Sequence, residues 1–207
     1  MVYGSAAGTG KTFICKHLTG CLGGPIYLPY AIAVGKEIIQ FFDPLIHVPV
    51  HKIHEKASYH LTNKIDQRLI LCERPFAISG GELTMDMLEL RYDPVTRLNQ
   101  APIQLKANNG IYIVDDMGRQ RVPPIELLNR WIVPMEEHVD YLTLGTGQHF
   151  PVPFDTVLIF STNLHPLELI DDAFLRRLGY KIHFTDIPKE QFTLIWENVC
   201  REHSVSS

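Results

Sequence analysis

One stretch constrains this chain more than any other: Gly8-Thr9-Gly10-Lys11-Thr12, with Gly4 shortly before it. A glycine-rich turn that runs straight into a helix presents backbone N–H groups to phosphate oxygens, and the positive end of the helix adds a favourable field. The turn needs a strand before it and a helix after it. With the alternation of strands and helices further along, this argues for an α/β fold with ligands at the carboxyl edge of an open, mostly parallel sheet. Lys11 would reach the β- and γ-phosphates of a nucleotide as a point charge, and the Thr12 hydroxyl would ligate Mg²⁺. The full pattern G-x-x-x-x-G-K-[ST] asks for glycine at position 5, where Ser5 stands one residue after Gly4. Either the loop entrance is altered or one residue is looped out between Gly4 and Gly8, and phosphate contacts survive both. Only Met1, Val2 and Tyr3 precede the loop, so the first strand reads as clipped against the usual length of about five residues.

Further along, the pattern alternates between strands and helices. Lys11 to Thr19 reads as the helix after the loop, with Ile14 and Leu18 at helical spacing and Gly20 and Gly23-Gly24 closing it. Pro25 to Tyr30 and Lys36 to Phe42 suggest a strand and hairpin around Val34-Gly35. Gln67 to Cys72 and Pro75 to Ser79 are strand-like, Leu83 to Leu90 reads as a short helix, and Asn99 to Asn109 is ambiguous. Pro123-Pro124 start a helix with Ile125, Leu127, Leu128, Trp131 and Ile132 on one face. Tyr141 to Val152 reads as a hairpin across Gly145-Thr146-Gly147, Thr156 to Phe160 and Tyr180 to Phe184 as strands, and Lys189 to His203 as a closing helix.

The informative strand is Ile111 to Val114, four apolar residues ending in Asp115-Asp116. A strand buried on both faces delivers two carboxylates to the edge where the phosphate loop lies. Asp115 is the candidate for holding Mg²⁺, through its water shell, because Mg²⁺ dehydrates reluctantly. Asp116 would polarise an attacking water; a capping or solvated carboxylate is its plainer reading.

Bulk properties exclude other classes. With 19 basic against 23 acidic residues there is no net positive footprint for nucleic acid or anionic lipid. No apolar run approaches the roughly 20 residues of a membrane span, and no basic-then-apolar leader opens the sequence, which points to the cytoplasm. Cys15, Cys21, Cys72 and Cys200 form no C-x-x-C pair and read as reduced thiols.

In order along the chain, GSAAGTGKT, IYIVDD, LIFSTN and DDAFLRRLGYKI resemble the AAA+ ATPases, a group of P-loop NTPases, over about Val2 to His203. The stretch APIQLKANNGIYIVDDMGRQ, with a helix and the DYLTLGTGQHFPVPF hairpin after it, is similar to their MoxR-like branch. The resemblance implies a three-layer αβα sandwich around a mostly parallel central sheet, with a β-hairpin insertion. Residues 1–186 would be the nucleotide-binding core and 187–207 the first helix of a truncated C-terminal lid. It further implies ATP and Mg²⁺ as ligands, Walker A at Gly8, Thr9, Gly10, Lys11 and Thr12, Walker B at Asp115 and Asp116, and sensor 1 at Asn163. The arginine finger would be Arg177 or Arg176, with Arg177 favoured because it sits just before the residue matching Leu178. Arg119 matches a family arginine four residues after the first Walker B Asp and would touch a neighbouring subunit. Assembly as a six-membered homo-oligomeric ring and remodelling of a protein partner come from the resemblance alone. One departure stands out: Asp116 replaces the usual Glu and is shorter by one methylene, about 1.5 Å of reach. Hydrolysis would be slower, or the water would sit differently.

Plainer readings stand beside these. Arg176 and Arg177 could simply cap a helix C-terminus, and Asn163 could be a strand-end turn residue. His47, His51, His54 and His60 read as a polar surface insertion, because no carboxylate or Cys joins them in a ligand pattern. Gly80 to Thr84 reads equally as a partner loop or a plain turn and helix start. Beyond ATP hydrolysis coupled to remodelling, a nucleotide-gated interaction module with little turnover accommodates Ser5 and Asp116. A monomeric small-molecule kinase is a third class, against which the hairpin and the FLRR segment count.

Overall fold

The computed structural model describes residues 1–4, 8–50 and 66–203. The phosphate-loop unit comes first: β1 (Val2–Tyr3), the glycine turn, and α1 (Lys11–His17), which runs on into a 3₁₀ turn at Leu18–Cys21. Next are β2 (Ile26–Pro29), β3 (Ala31–Val34), β4 (Glu37–Gln40) and β5 (Leu69–Cys72). Then β6 (Phe76–Ser79), β7 (Arg91–Asp93), β8 (Leu98–Gln100) and α2 (Ile103–Lys106) lead to the acidic strand β9 (Ile111–Val114). Beyond it lie α3 (Pro124–Glu137), β10 (Val139–Thr143), β11 (His149–Pro153) and β12 (Val157–Thr162). The chain continues through α4 (Pro166–Leu169), α5 (Asp172–Arg177), β13 (Ile182–His183) and α6 (Lys189–Glu202).

Five strands make the central sheet in the order β13-β1-β12-β9-β6, and every neighbouring pair is parallel. Its side chains divide cleanly between two cores, as a strand's two-residue alternation requires. On β9, Ile111 and Ile113 join Val2, Cys15 and Ile159 on the α1 face. Tyr112 and Val114 join Phe160, Leu127, Leu128, Trp131 and Phe174 on the face covered by α3 and α5. The four apolar residues of β9 are therefore all fully buried, which explains their uninterrupted run. Helices thus cover both faces, giving the three-layer α/β architecture expected from the sequence.

A third core joins β4, α2 and the β10–β11 hairpin through Ile39, Leu105, Leu142, Phe150 and Val152. The hairpin is tied to α3 by Arg130, whose guanidinium donates to both carboxylate oxygens of Asp140 at 2.6 and 3.0 Å. Gln104 donates to the same carboxylate at 3.2 Å. The Asp140 side chain is only 3% exposed, so the fork-shaped guanidinium is what allows a charge to reside there.

Several expectations are corrected. β2 does not pair with the β4 run; it pairs antiparallel with β5, while the hairpin is β3–β4 around Gly35. The helix expected over Leu83 to Leu90 shrinks to one 3₁₀ turn at Met85–Leu88. The ambiguous Asn99–Asn109 segment contains the end of β8, which pairs with both β4 and β7, and then α2. His47 is no surface residue: it is fully buried, flanked by the rings of Phe41 and Phe42. Its Nδ1 accepts from the Asp43 amide at 2.9 Å, so Nε2 must carry the proton and donate to the Lys106 carbonyl at 2.8 Å. Burial pushes its pKa below the ordinary value, against the opposing pull of that carbonyl and of Asp43. His51, His54 and His60 lie outside the described residues. Among the described residues no group of three potential ligands could hold a metal, and no helix is long and apolar enough to cross a membrane. All four cysteines are free, Cys21 exposed and the other three buried.

Candidate functional site

The glycine turn is left-handed at Gly8 (φ 78°) and at Gly10 (φ 82°), the N-cap of α1, a region that side chains other than hydrogen enter at a cost. Lys11 and Thr12 consequently occupy the first turn of α1. Gly4 has a different task from the phosphate cradle. A Cβ there would lie 2.2 Å from the carbonyl oxygen of Phe184, so the loop entrance can pack against the chain leaving β13 only with glycine. Ser5 lies outside the described residues.

Lys11 is buried, and its Nζ donates to the Gly4 carbonyl and to Thr9 Oγ1, both at 3.3 Å. The ammonium is thereby folded back over the turn. Thr12 Oγ1 donates to Asp115 Oδ2 at 3.0 Å. This contact joins the start of α1 to the tip of β9, across the intervening strand β12. A hydroxyl and a carboxylate oxygen at that separation are two hard oxygen donors, the chemistry that suits Mg²⁺. Beside them, Asn163 at the tip of β12 donates through Nδ2 to Asp116 Oδ1 at a long 3.5 Å. Asp116 itself is left-handed (φ 50°), a conformation that Asp and Asn tolerate better than other side chains.

Loop residues Gly8 to Phe13, both carboxylates, Arg119, Ser161 and Asn163 enclose a cleft of about 510 Å³ at the carboxyl edge of the sheet. The structure therefore brings together Gly8, Thr9, Gly10, Lys11, Thr12, Asp115, Asp116 and Asn163. It does not bring Arg176 or Arg177 into the same cleft. Both stand in the last turn of α5, where Arg177 pairs with Glu136 of α3 and donates to the Ala173 carbonyl at 3.0 Å. Arg177 lines instead an apolar cavity of about 520 Å³ beside Val2, Val157 and Ile182, at the amino ends of β1, β12 and β13.

Cys15, one turn into α1, does not add a nucleophile. Burial raises its thiol pKa and the Asp115 carboxylate pushes it further the same way, so it stays a protonated, inert packing residue. Two residues that no sequence reading assigned to the site brace the turn carrying the acids. Thr162, a fully buried polar residue at the end of β12, donates its hydroxyl to the Met117 carbonyl at 2.9 Å, and Gln120, between the acids and α3, turns its amide back on the Asp115 carbonyl at 2.8 Å. Neither belongs to a spacing pattern, and the one available hint was a polar Thr ending an apolar strand run.

A parallel five-stranded sheet covered by helices on both faces, with a glycine loop after one inner strand and carboxylates at the tip of another, is a three-layer α/β fold shared with solved structures. Among solved structures the chain is similar to a chain in the complex between subunits BchI and BchD of magnesium chelatase, with a TM-score of 0.59 at 17% identity. That likeness covers 100% of this chain and 59% of the other, so this chain spans little more than half of its neighbour's length. NtrX from Brucella abortus is also similar, with a TM-score of 0.47 at 15% identity over 63% of this chain and 30% of that one. No family model matches the chain, and no curated protein matches it in sequence.

Proposed function

We propose that the chain is the nucleotide-binding core of a ring-forming AAA+ ATPase of the MoxR-like kind, which hydrolyses ATP with Mg²⁺ to remodel a protein partner in the cytoplasm. The carrying observation is the convergence of Lys11, Thr12, Asp115, Asp116 and Asn163 on one cleft from three separate elements, the start of α1 and the tips of β9 and β12. Lys11 neutralises β- and γ-phosphate charge, exchanging its present carbonyl and hydroxyl partners for phosphate oxygens. Thr12 and Asp115 hold Mg²⁺, which when bound offsets the charge that develops on the phosphates. Asp116 and Asn163 orient the attacking water for in-line displacement, and their mutual contact keeps both polar groups on one side of the cleft. Arg177, exposed and remote from its own cleft, completes the site of the next subunit, with Arg176 as the other candidate. Such fingers are worth about 10³ to 10⁵ in rate. On this reading residues 1–186 form the core and 187–207 begin the lid.

Phosphate release measured against protein concentration tests the proposal. Release per subunit should require Mg²⁺, rise as subunits assemble, and vanish in Lys11→Ala. A second reading, a nucleotide-gated interaction module, is favoured by the short Asp116 side chain and its 3.5 Å separation from Asn163. It takes over if nucleotide binds but no phosphate is released at any protein concentration.

A further inference from the structure

The turn that carries the two carboxylates is fastened on both sides. It begins at Asp115, whose amide donates to the Ser79 carbonyl of β6 at 2.8 Å. It closes with the Arg119 amide donating to the Asp116 carbonyl at 2.9 Å, a geometry that puts Gly118 at φ 102°. On the β12 side Met117 is held at both ends: its amide donates to the Ser161 carbonyl at 2.8 Å and its carbonyl accepts from Thr162 at 2.9 Å. On the β6 side the carboxamide of Gln120 adds to the Asp115–Ser79 bond. Its Nε2 donates to the Asp115 carbonyl at 2.8 Å and to the Gly80 carbonyl at 3.4 Å, while Oε1 accepts from the Gly118 amide at 2.9 Å. The partners fix the amide's orientation, because flipping it would set oxygen against two carbonyls and NH₂ against an N–H.

We infer that Gln120 is a positioning residue: it locks the Asp115–Gly118 turn to the tip of β6 and so sets where the two carboxylates point in the cleft. The left-handed backbone of Asp116 persists only if its surroundings over-determine it. Without Gln120 the β6 side keeps only the Asp115 amide bond to Ser79, so the turn beyond that bond can rotate about Met117, and the Asp116 carboxylate swings from Asn163 while the Asp115 carboxylate leaves Thr12. The fold has no such dependence. Gln120 is only partly buried, so water can replace its hydrogen bonds once it is removed. Its removal should therefore spare the hydrophobic cores and blur the site. The residue acts through its neighbours rather than on a ligand. The metal and turnover consequences rest on the proposed nucleotide chemistry, whereas the locking of the turn does not.

The experiment compares wild type, Gln120→Ala and Gln120→Glu. Hydrogen exchange of the 115–120 segment without nucleotide reads the lock itself: exchange should quicken about tenfold in Gln120→Ala, while that of β9 stays as in wild type. Unchanged exchange at 115–120 overturns the inference whether or not the protein is an ATPase. A fluorescent ATP analogue titrated with and without Mg²⁺ reads the site. Mg²⁺-free binding should stay within about twofold, while the half-saturating Mg²⁺ rises and phosphate release falls by about 10- to 100-fold, the scale of losses beyond the ligand shell. Equal losses with and without Mg²⁺ also overturn it, since they mark a general defect. Gln120→Glu keeps the acceptor for Gly118 but sets a carboxylate against two carbonyls. Protonation restores a donor, so its activity relative to wild type should climb as pH falls from 8 towards 5; a flat ratio counts against the lock. A wild type that binds no nucleotide refutes the proposed function and leaves the exchange result to decide the inference.

Discussion

Asp116 allows backbone and chemistry to be separated by two substitutions one atom group apart. Its φ of 50° lies in the left-handed region, which costs most L-residues about 1–2 kcal/mol and costs Asp and Asn less. Asp116→Glu loses that tolerance, and a destabilisation of about 1 kcal/mol should lower Tm by about 2–4 °C in a domain of this size. Asp116→Asn keeps the tolerance and the hydrogen-bonding partner on Asn163, so its Tm should match wild type. Activity should run in the opposite order. Glu adds about 1.5 Å of reach and should raise phosphate release, whereas Asn removes the charge that polarises water and should lower it about 100-fold. Differential scanning fluorimetry and a phosphate-release assay on the same three proteins settle both halves. If Asp116→Asn melts as low as Asp116→Glu, the left-handed backbone is not what selects Asp here. If Asp116→Glu leaves release unchanged, reach is not what limits turnover.

Two further outcomes follow from buried polar groups remote from the cleft. Asp140→Ala strands the Arg130 guanidinium, 14% exposed and left with Glu89 at 3.5 Å and the Trp131 ring at 5.8 Å, and should cost about 3 kcal/mol in urea unfolding. Adding Arg130→Met should recover part of that loss, and no recovery would mean that the pair's charge is not what is at stake. His47 is held neutral with a pKa below 6.5, so the unfolded chain binds more protons in acid. Its contribution to stability is therefore full above pH 6.5 and is lost as pH falls below it, by about 1.4 kcal/mol for each unit of depression. Asp43, held below its ordinary value by Lys106 despite partial burial, acts only in stronger acid. Urea unfolding of His47→Gln between pH 7.5 and 5 should show a shallower fall than wild type.

What could be read from the sequence was whatever local chemistry dictates. Lys11 and Thr12 follow from a glycine turn that accepts few other residues, and the Asp115 position follows from a four-residue apolar run too short to be anything but a buried strand. The β10–β11 hairpin and α3 announce themselves through Gly145-Thr146-Gly147 and Pro123-Pro124. The errors lie where distant partners decide. β2 carries nothing that says it will pair with β5 across some forty residues rather than with the nearer β4, since strand propensity reflects cross-strand packing. His47 looked like one of four polar histidines, but two aromatic rings and a carbonyl from α2 make it a core residue. Gln120 occupies an irregular loop with no periodicity, and only the positions of three backbone groups give its amide a meaning.

The placement of β1 has a consequence for how such a chain reaches its native state. Val2 pairs with Ser161 on one side and with Ile182 on the other, so the second strand of the sheet cannot be inserted until nearly all the others exist. The Thr12–Asp115 contact likewise closes a loop of about a hundred residues. Loop-closure entropy makes contacts of this kind slow, and a nascent chain holds its glycine turn idle while the acidic strand is still being synthesised. A nucleotide that needs both halves can bind only the finished domain, and by mass action it will hold that domain together.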